Sequence, residues 1–281
     1  MLNGTRHSVS RYLLLLLLLT VSSLQYKAFA ADSDTMSAES ATQPKMHMHI
    51  KDTIVRDYKS FYTKHRLIRL GLGFAAGGIV ANTDLDTEIN DHFQSDIRSS
   101  TTDDISKTAK KFGNGYYMLP VTFLAAGLCY VDCQSPVGKW GWRASRAYLV
   151  GAPPMLLMQF TTGGSRPGET SHDSEWRPFN DTNGVSGHAF VGSIPFITIA
   201  RMNEDKPVLK YLMYIASTAT AWSRVNDNAH YFSQAALGWY MGWESVDAVF
   251  DSDESANEDK KVTVTPIVGN NAYALVIRAK W

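Results

Sequence analysis

Cysteine is scarce in this chain: its 281 residues include only Cys129 and Cys133. That excludes a disulfide-stapled scaffold, so the fold must rest on a hydrophobic core. The pair admits either a short-loop disulfide or two free thiols. A regular helix resists bridging residues four apart, and no nearby histidine completes a four-ligand metal set. A charge excess is also missing, since 27 basic residues face 27 acidic ones. Bulk attraction to nucleic acid or to anionic lipid is thereby excluded, and any anion site must be local. The chain has no phosphate loop, no dinucleotide fingerprint and no paired-metal pattern. Clean apolar-polar alternation is rare before residue 260, which argues against a sheet protein. Long uncharged runs are few. Phe112 to Val131 is free of charge, but Pro153, Pro154 and Pro195 interrupt the next apolar segments, and the mean hydropathy is −0.18. These features favour an exported domain outside the lipid over a membrane-embedded one.

What is present begins with an N-terminal export signal. Arg6 and Arg11 precede a leucine-rich core from Tyr12 to Leu24, and Ala28-Phe29-Ala30 offers a small-x-small cleavage site. Residues 1–30 therefore read as a signal peptide, with an uncleaved anchor as the alternative, and the expected location is periplasmic. Without them the chain has three more acids than bases. Residues 31–52 read as a flexible Ser-, Thr- and Met-rich leader, and His47 and His49 within it as solvated. Helical periodicity then dominates residues 53–250. It predicts helices near 53–64, 67–82, 104–111, 115–131, 141–160, 187–202, 207–222 and 230–249. The fold class is mainly α, a compact helical bundle. Residues 251–261, DSDESANEDKK, read as a charged linker, and 262–281 as a C-terminal β-hairpin turning at Gly269 and Asn270.

Three segments carry the chemistry. GGSRP holds Arg166, VSGH holds Ser186, Gly187 and His188, and AWSRVNDNAHYFSQ holds Arg224, His230 and Gln234. Arginine's planar fork binds phosphate oxygens in pairs. A Ser-Gly pair opening a helix presents free N–H groups to an anion, and glycine permits close approach. One histidine can attack phosphorus while the other protonates the leaving oxygen. The loop ETSHDSEWRPFN contributes His172, Asp173, Trp176 and Arg177 as candidate substrate contacts. Gly238 and Gly242, four apart, allow close helix packing.

In this order and spacing, the three motifs resemble the type 2 phosphatidic acid phosphatase superfamily. That superfamily includes lipid phosphatases, bacterial acid phosphatases and vanadium haloperoxidases. The likeness spans about residues 159–245. It implies a helical bundle of the acid phosphatase and haloperoxidase type. It also implies phosphate binding by Arg166, Ser186, Gly187 and Arg224, with His188 as general acid and His230 as nucleophile. No cofactor is implied for a phosphatase.

Two departures from the family stand out. Gln159 occupies the place of a lysine seven residues before Arg166, and Gln234 that of an aspartate four residues after His230. Arg143, Arg146 and Arg177 are candidates to replace the missing cation, and Asp227 and Asp181 the missing carboxylate. On a helix His230 and Gln234 share a face, so the amide can fix the imidazole tautomer without neutralising its charge. Restoring aspartate at 234 is expected to raise turnover. The leading expectation is a metal-independent phosphomonoesterase. Its partner would be a phosphate ester, lipid or soluble, with membrane-surface contact and without nucleic acid. The alternatives are a non-catalytic binder of phosphate or lipid headgroups and a vanadate-dependent haloperoxidase.

Overall fold

The computed structural model describes residues 50–131, 135–258, 262–269 and 272–279. The expected signal peptide and all but the last three residues of the leader lie outside the described residues, as does Cys133. Cys129 is buried and is not a free thiol.

The described chain is mainly helical. It comprises α1 (Ile50–Phe61), α2 (Lys64–Ala81), α3 (Leu85–His92), a π turn (Phe93–Ile97), α4 (Ser100–Ala109) and a 3-10 turn (Lys110–Gly113). After these come α5 (Gly115–Val131), α6 (Pro136–Thr162), α7 (Gly187–Met202), α8 (Pro207–Ser217), α9 (Ala219–Asn226) and α10 (Phe232–Glu258). Strands β1 (Val262–Gly269) and β2 (Ala272–Ala279) pair antiparallel with Val262 opposite Ala279, and Asn270 lies outside the described residues.

The core lies where α6, α7 and α10 pack together, with α1 and α2 laid over α10. Tyr148, Phe190, Ile194, Ile197, Met241 and Val246 meet there. Helix α7 is apolar on nearly every side and is correspondingly enclosed, as such a pattern requires. Gly238 on α10 brings the backbone hard against the Ser186 carbonyl and Ala189, where any side chain would collide. The GWYMG glycines thus set α10 directly on the start of α7. Among the described residues, no helix is long and apolar enough to cross a membrane.

The helices expected near 141–160 and 187–202 run through Pro153, Pro154 and Pro195, which interrupt their apolar runs without breaking them. A proline strips its own N–H and frees the carbonyl four residues earlier, which normally breaks a helix. Here tyrosines from other segments satisfy the carbonyls freed by Pro153 and Pro195. Tyr58 Oη donates to Leu149 O at 2.7 Å, opposite Pro153, and Tyr148 Oη donates to Val191 O at 2.8 Å, opposite Pro195. Burial raises the Tyr148 pKa far above its ordinary value, so the hydroxyl remains a donor. Tyr148→Phe is expected to lower stability by about 1–2 kcal/mol in urea titrations, because it orphans a buried carbonyl.

Two expectations are corrected. The span 207–222 is two helices, parted at Thr218, whose hydroxyl and that of Ser217 bond back to the Ile215 and Tyr214 carbonyls. The charged run from residue 251 is not a linker as far as Glu258 but the last turns of α10. Its acids face arginines: Asp251 pairs with Arg66, and Asp253 with Arg143 and Arg146.

Candidate active site

Helix α6 ends at Gly163, whose φ of 62° places it in the left-handed region and turns the chain into Gly164, Ser165 and Arg166. Such a C-terminal residue is glycine because a side chain is strained there. Ser165 is buried, whereas the Arg166 side chain is half exposed, with its backbone N–H on Glu169 Oε2 at 3.1 Å. Helix α7 begins at Ser186, whose Oγ accepts from Ala189 N at 3.3 Å as its N-cap. The Gly187 and His188 amides follow at this open end, where the helix dipole favours an anion. Gln159 approaches from α6, its Nε2 donating to Val185 O at 2.6 Å just ahead of Ser186.

Arg224 lies in the last turn of α9 and is 8 % exposed. After it the chain folds back sharply, with Asn228 at φ 52° and the Ala229 and His230 N–H groups both donating to the Arg224 carbonyl, at 2.9 and 3.2 Å. His230 is therefore held beside Arg224. It precedes α10, which starts at Phe232, so His230 and Gln234 do not share a helix face as expected. The bond is made from the turn into the first helical turn instead, with His230 Nδ1 and Gln234 Oε1 at 2.9 Å.

Gln234 is fully buried and joins all three motifs. Its Oε1 also accepts from Tyr231 N at 3.2 Å, and its Nε2 donates to Ser165 O at 2.6 Å. Its backbone carbonyl accepts from Ser186 N at 2.9 Å. The amide orientation is fixed twice over, because a carbonyl can only accept and a backbone N–H can only donate. Oε1 must therefore face the imidazole, Nδ1 must carry the hydrogen, and Nε2 retains its lone pair.

The four charged or titratable motif residues feel one another. Burial, opposed by the Gln234 hydrogen bond and assisted by Arg166, Arg224 and His188, pushes His230 down to about 4. His188 is also lowered, first by partial burial and then by Arg224, Arg166 and Lys110. Both imidazoles resist protonation, first because burial desolvates them and then because they sit among cations.

The suggested substitutes for the missing lysine lie elsewhere. Arg143 bonds Asp253, Arg146 is sunk against Asp57 and Asp253, and Arg177 pairs with Glu175. Asp181 caps Thr182 and Asn183. Asp227 does sit at the site, but it serves the cations. Its Oδ2 accepts from Arg224 Nη2 and from Lys110 Nζ, each at 3.1 Å, and its Oδ1 accepts from Ser106 at 2.5 Å. Sequence reasoning missed Lys110 because no motif marks a lysine in a 3-10 turn.

The loop between the first two motifs is pinned to the site's neighbours. Tyr231 Oη donates to Asp173 Oδ1 at 2.9 Å, Ser174 Oγ to Ala81 O at 3.0 Å, and Trp176 N to Asn82 Oδ1 at 2.9 Å. His172 is exposed. Asp86 is buried and receives both the N–H and the hydroxyl of Ser233 at the start of α10. Among the described residues, no three metal-ligating side chains gather.

The family model of the PAP2 superfamily matches residues 142–252, a span that contains every one of these motif residues. Over residues 142–252 the chain is thus similar to the PAP2 superfamily, in line with the resemblance read from the motifs. No curated protein and no solved structure matches the chain. That match suggests phosphatase or related activity.

Proposed function

We propose that this chain is a metal-independent phosphomonoesterase that turns over through a phosphohistidine on His230. The observation that carries the reading is the grip of Gln234 on Nδ1, which leaves Nε2 of a buried, neutral imidazole as the free lone pair. In the first step Nε2 attacks phosphorus, the bond to the ester oxygen breaks, and His188 gives that oxygen a proton. Arg166, Arg224 and the amides opening α7 stabilise the charge on the transferring group. Water then attacks phosphorus, His188 takes its proton, and Nε2 is released with orthophosphate. A bound dianion raises the His188 pKa that the cations have lowered, so the acid recharges when substrate arrives.

Substrates with an apolar body are favoured. Phe160 follows Gln159 and is half exposed, and Phe179, which is 75 % exposed, bonds through its N–H to the Phe160 carbonyl at 2.8 Å. A lipid phosphate would lay its tail on such a pair. The arginine run and leucine core of residues 1–30 support action outside the inner membrane, in the periplasm, with contact to a membrane surface.

The test is hydrolysis of a chromogenic aryl phosphate in the presence of chelator, followed by a panel of lipid and soluble esters. Activity is expected without added metal, and failure on every ester would defeat the proposal. Free-enzyme kcat/KM should follow an acidic bell. Its acid limb lies near pH 4, where His230 must lose its proton, and its alkaline limb lies below histidine's ordinary 6.5, where His188 must keep one. A profile still rising at alkaline pH would contradict both roles.

A further inference from the structure

The site lacks the charge of the family's lysine, since Gln159 is neutral and its Nε2 is engaged with the Val185 carbonyl. Lys110 occupies a compensating position. It opens the 3-10 turn Lys110–Gly113, which presses on the start of α7 so closely that a side chain at Gly113 would strike the His188 carbonyl. Lys110 Nζ and Arg224 Nη2 donate to one and the same oxygen, Asp227 Oδ2, each at 3.1 Å. Two cations sharing one acceptor lie no more than two hydrogen-bond lengths apart. Asp227 is itself anchored through Oδ1 to Ser106. The Lys110 side chain is 42 % exposed, so it borders solvent.

The geometry points to Lys110 as the third cation of the phosphate site, a substrate-binding group held next to Arg224 by Asp227. The inference rests on the phosphate-hydrolase reading above. Of the three positive groups, Arg166 lies 3.9 Å from the Glu169 carboxylate, and Arg224 and Lys110 share the Asp227 carboxylate. That carboxylate orders two of the cations before substrate binds, which spares part of the entropy of assembling the site. A lysine suits the position because an ammonium acts as a point charge on a flexible stem and needs no fixed fork. It therefore serves the anion from the α4 side, whereas a lysine at 159 would serve it from α6.

The decisive experiment compares the full chain with Lys110→Gln, Lys110→Arg and the double variant Lys110→Gln/Gln159→Lys. Three quantities are measured for each: KM for an aryl phosphate, the dissociation constant of orthophosphate by calorimetry, and the thermal midpoint. Lys110→Gln is expected to raise KM and the orthophosphate constant about tenfold, as loss of one charge-assisted contact does. Lys110→Arg should stay near wild type. Gln159→Lys should recover most of the loss by returning a positive charge to the anion from the opposite side, without restoring the Asp227 pair. Unchanged phosphate affinity in Lys110→Gln would overturn the inference. So would a loss that Gln159→Lys leaves unrepaired while the thermal midpoint falls, since Lys110 would then only steady Asp227. If the wild-type chain hydrolyses no ester, the enzymatic reading fails separately, and orthophosphate binding still decides the role of Lys110.

Discussion

His230→Ala is expected to reduce ester hydrolysis by at least about 10⁴-fold while the chain still folds. The expectation follows from how few groups can attack phosphorus here. Ser223 is buried with its hydroxyl on Thr220 O, and Ser186 spends its oxygen lone pairs as the cap of α7. His188 has the wrong task, because its imidazole must hold a proton for the leaving group. The variant retains the cations, so it should still bind orthophosphate, and its circular dichroism and cooperative unfolding should persist. Single-turnover measurements with the aryl phosphate give the cleanest reading, because they exclude product release. A rate within tenfold of wild type would mean that phosphorus is attacked by some other group.

The second large effect concerns Gln234. Gln234→Leu is expected to lower kcat about 10²- to 10³-fold, by freeing the imidazole to take the wrong tautomer. Elsewhere an amide next to a catalytic histidine is damaging, because its NH₂ can turn toward the ring and reverse the tautomer. Here the Ser165 carbonyl takes the NH₂ at 2.6 Å, so Oε1 is the atom left for Nδ1. The same bond reverses the expectation, drawn from sequence, that aspartate at 234 raises turnover. Aspartate is one methylene shorter and cannot donate to Ser165. In this dry position it would also set a carboxylate oxygen against a carbonyl, two acceptors without a proton between them. Gln234→Asp is now expected to lower kcat. A rise in kcat would show that the imidazolium charge matters more than the Ser165 bond, and would restore the view of Gln234 as a defect.

The misread and illegible features share one physical origin. Helices α6 and α7 were expected to continue through their prolines, but what receives the freed Leu149 and Val191 carbonyls was not legible, because the partners are Tyr58 and Tyr148, far away in sequence. The DSDESANE segment looked like a linker because its charges are read as solvated, and its Asp251 and Asp253 are matched by Arg66, Arg143 and Arg146 from two other helices. Those pairings also removed Arg143 and Arg146 from the list of substitutes for lysine 159. By contrast, the start of α7 at Gly187 was legible, since an N-cap serine and the glycine after it act within one turn.

By itself the sequence determined a helical chain and three motifs in order, and through its resemblance it supplied the residues proposed to meet a phosphate, because helix periodicity, capping and motif spacing are local or directly written in the chain. Only the tertiary structure decided that Gln234 ties Ser165, Ser186 and His230 together, that Asp227 holds Lys110 beside Arg224, and that His230 is buried. Those facts depend on which distant groups share a dry space, and desolvation and hydrogen-bond partnership have no counterpart in sequence spacing.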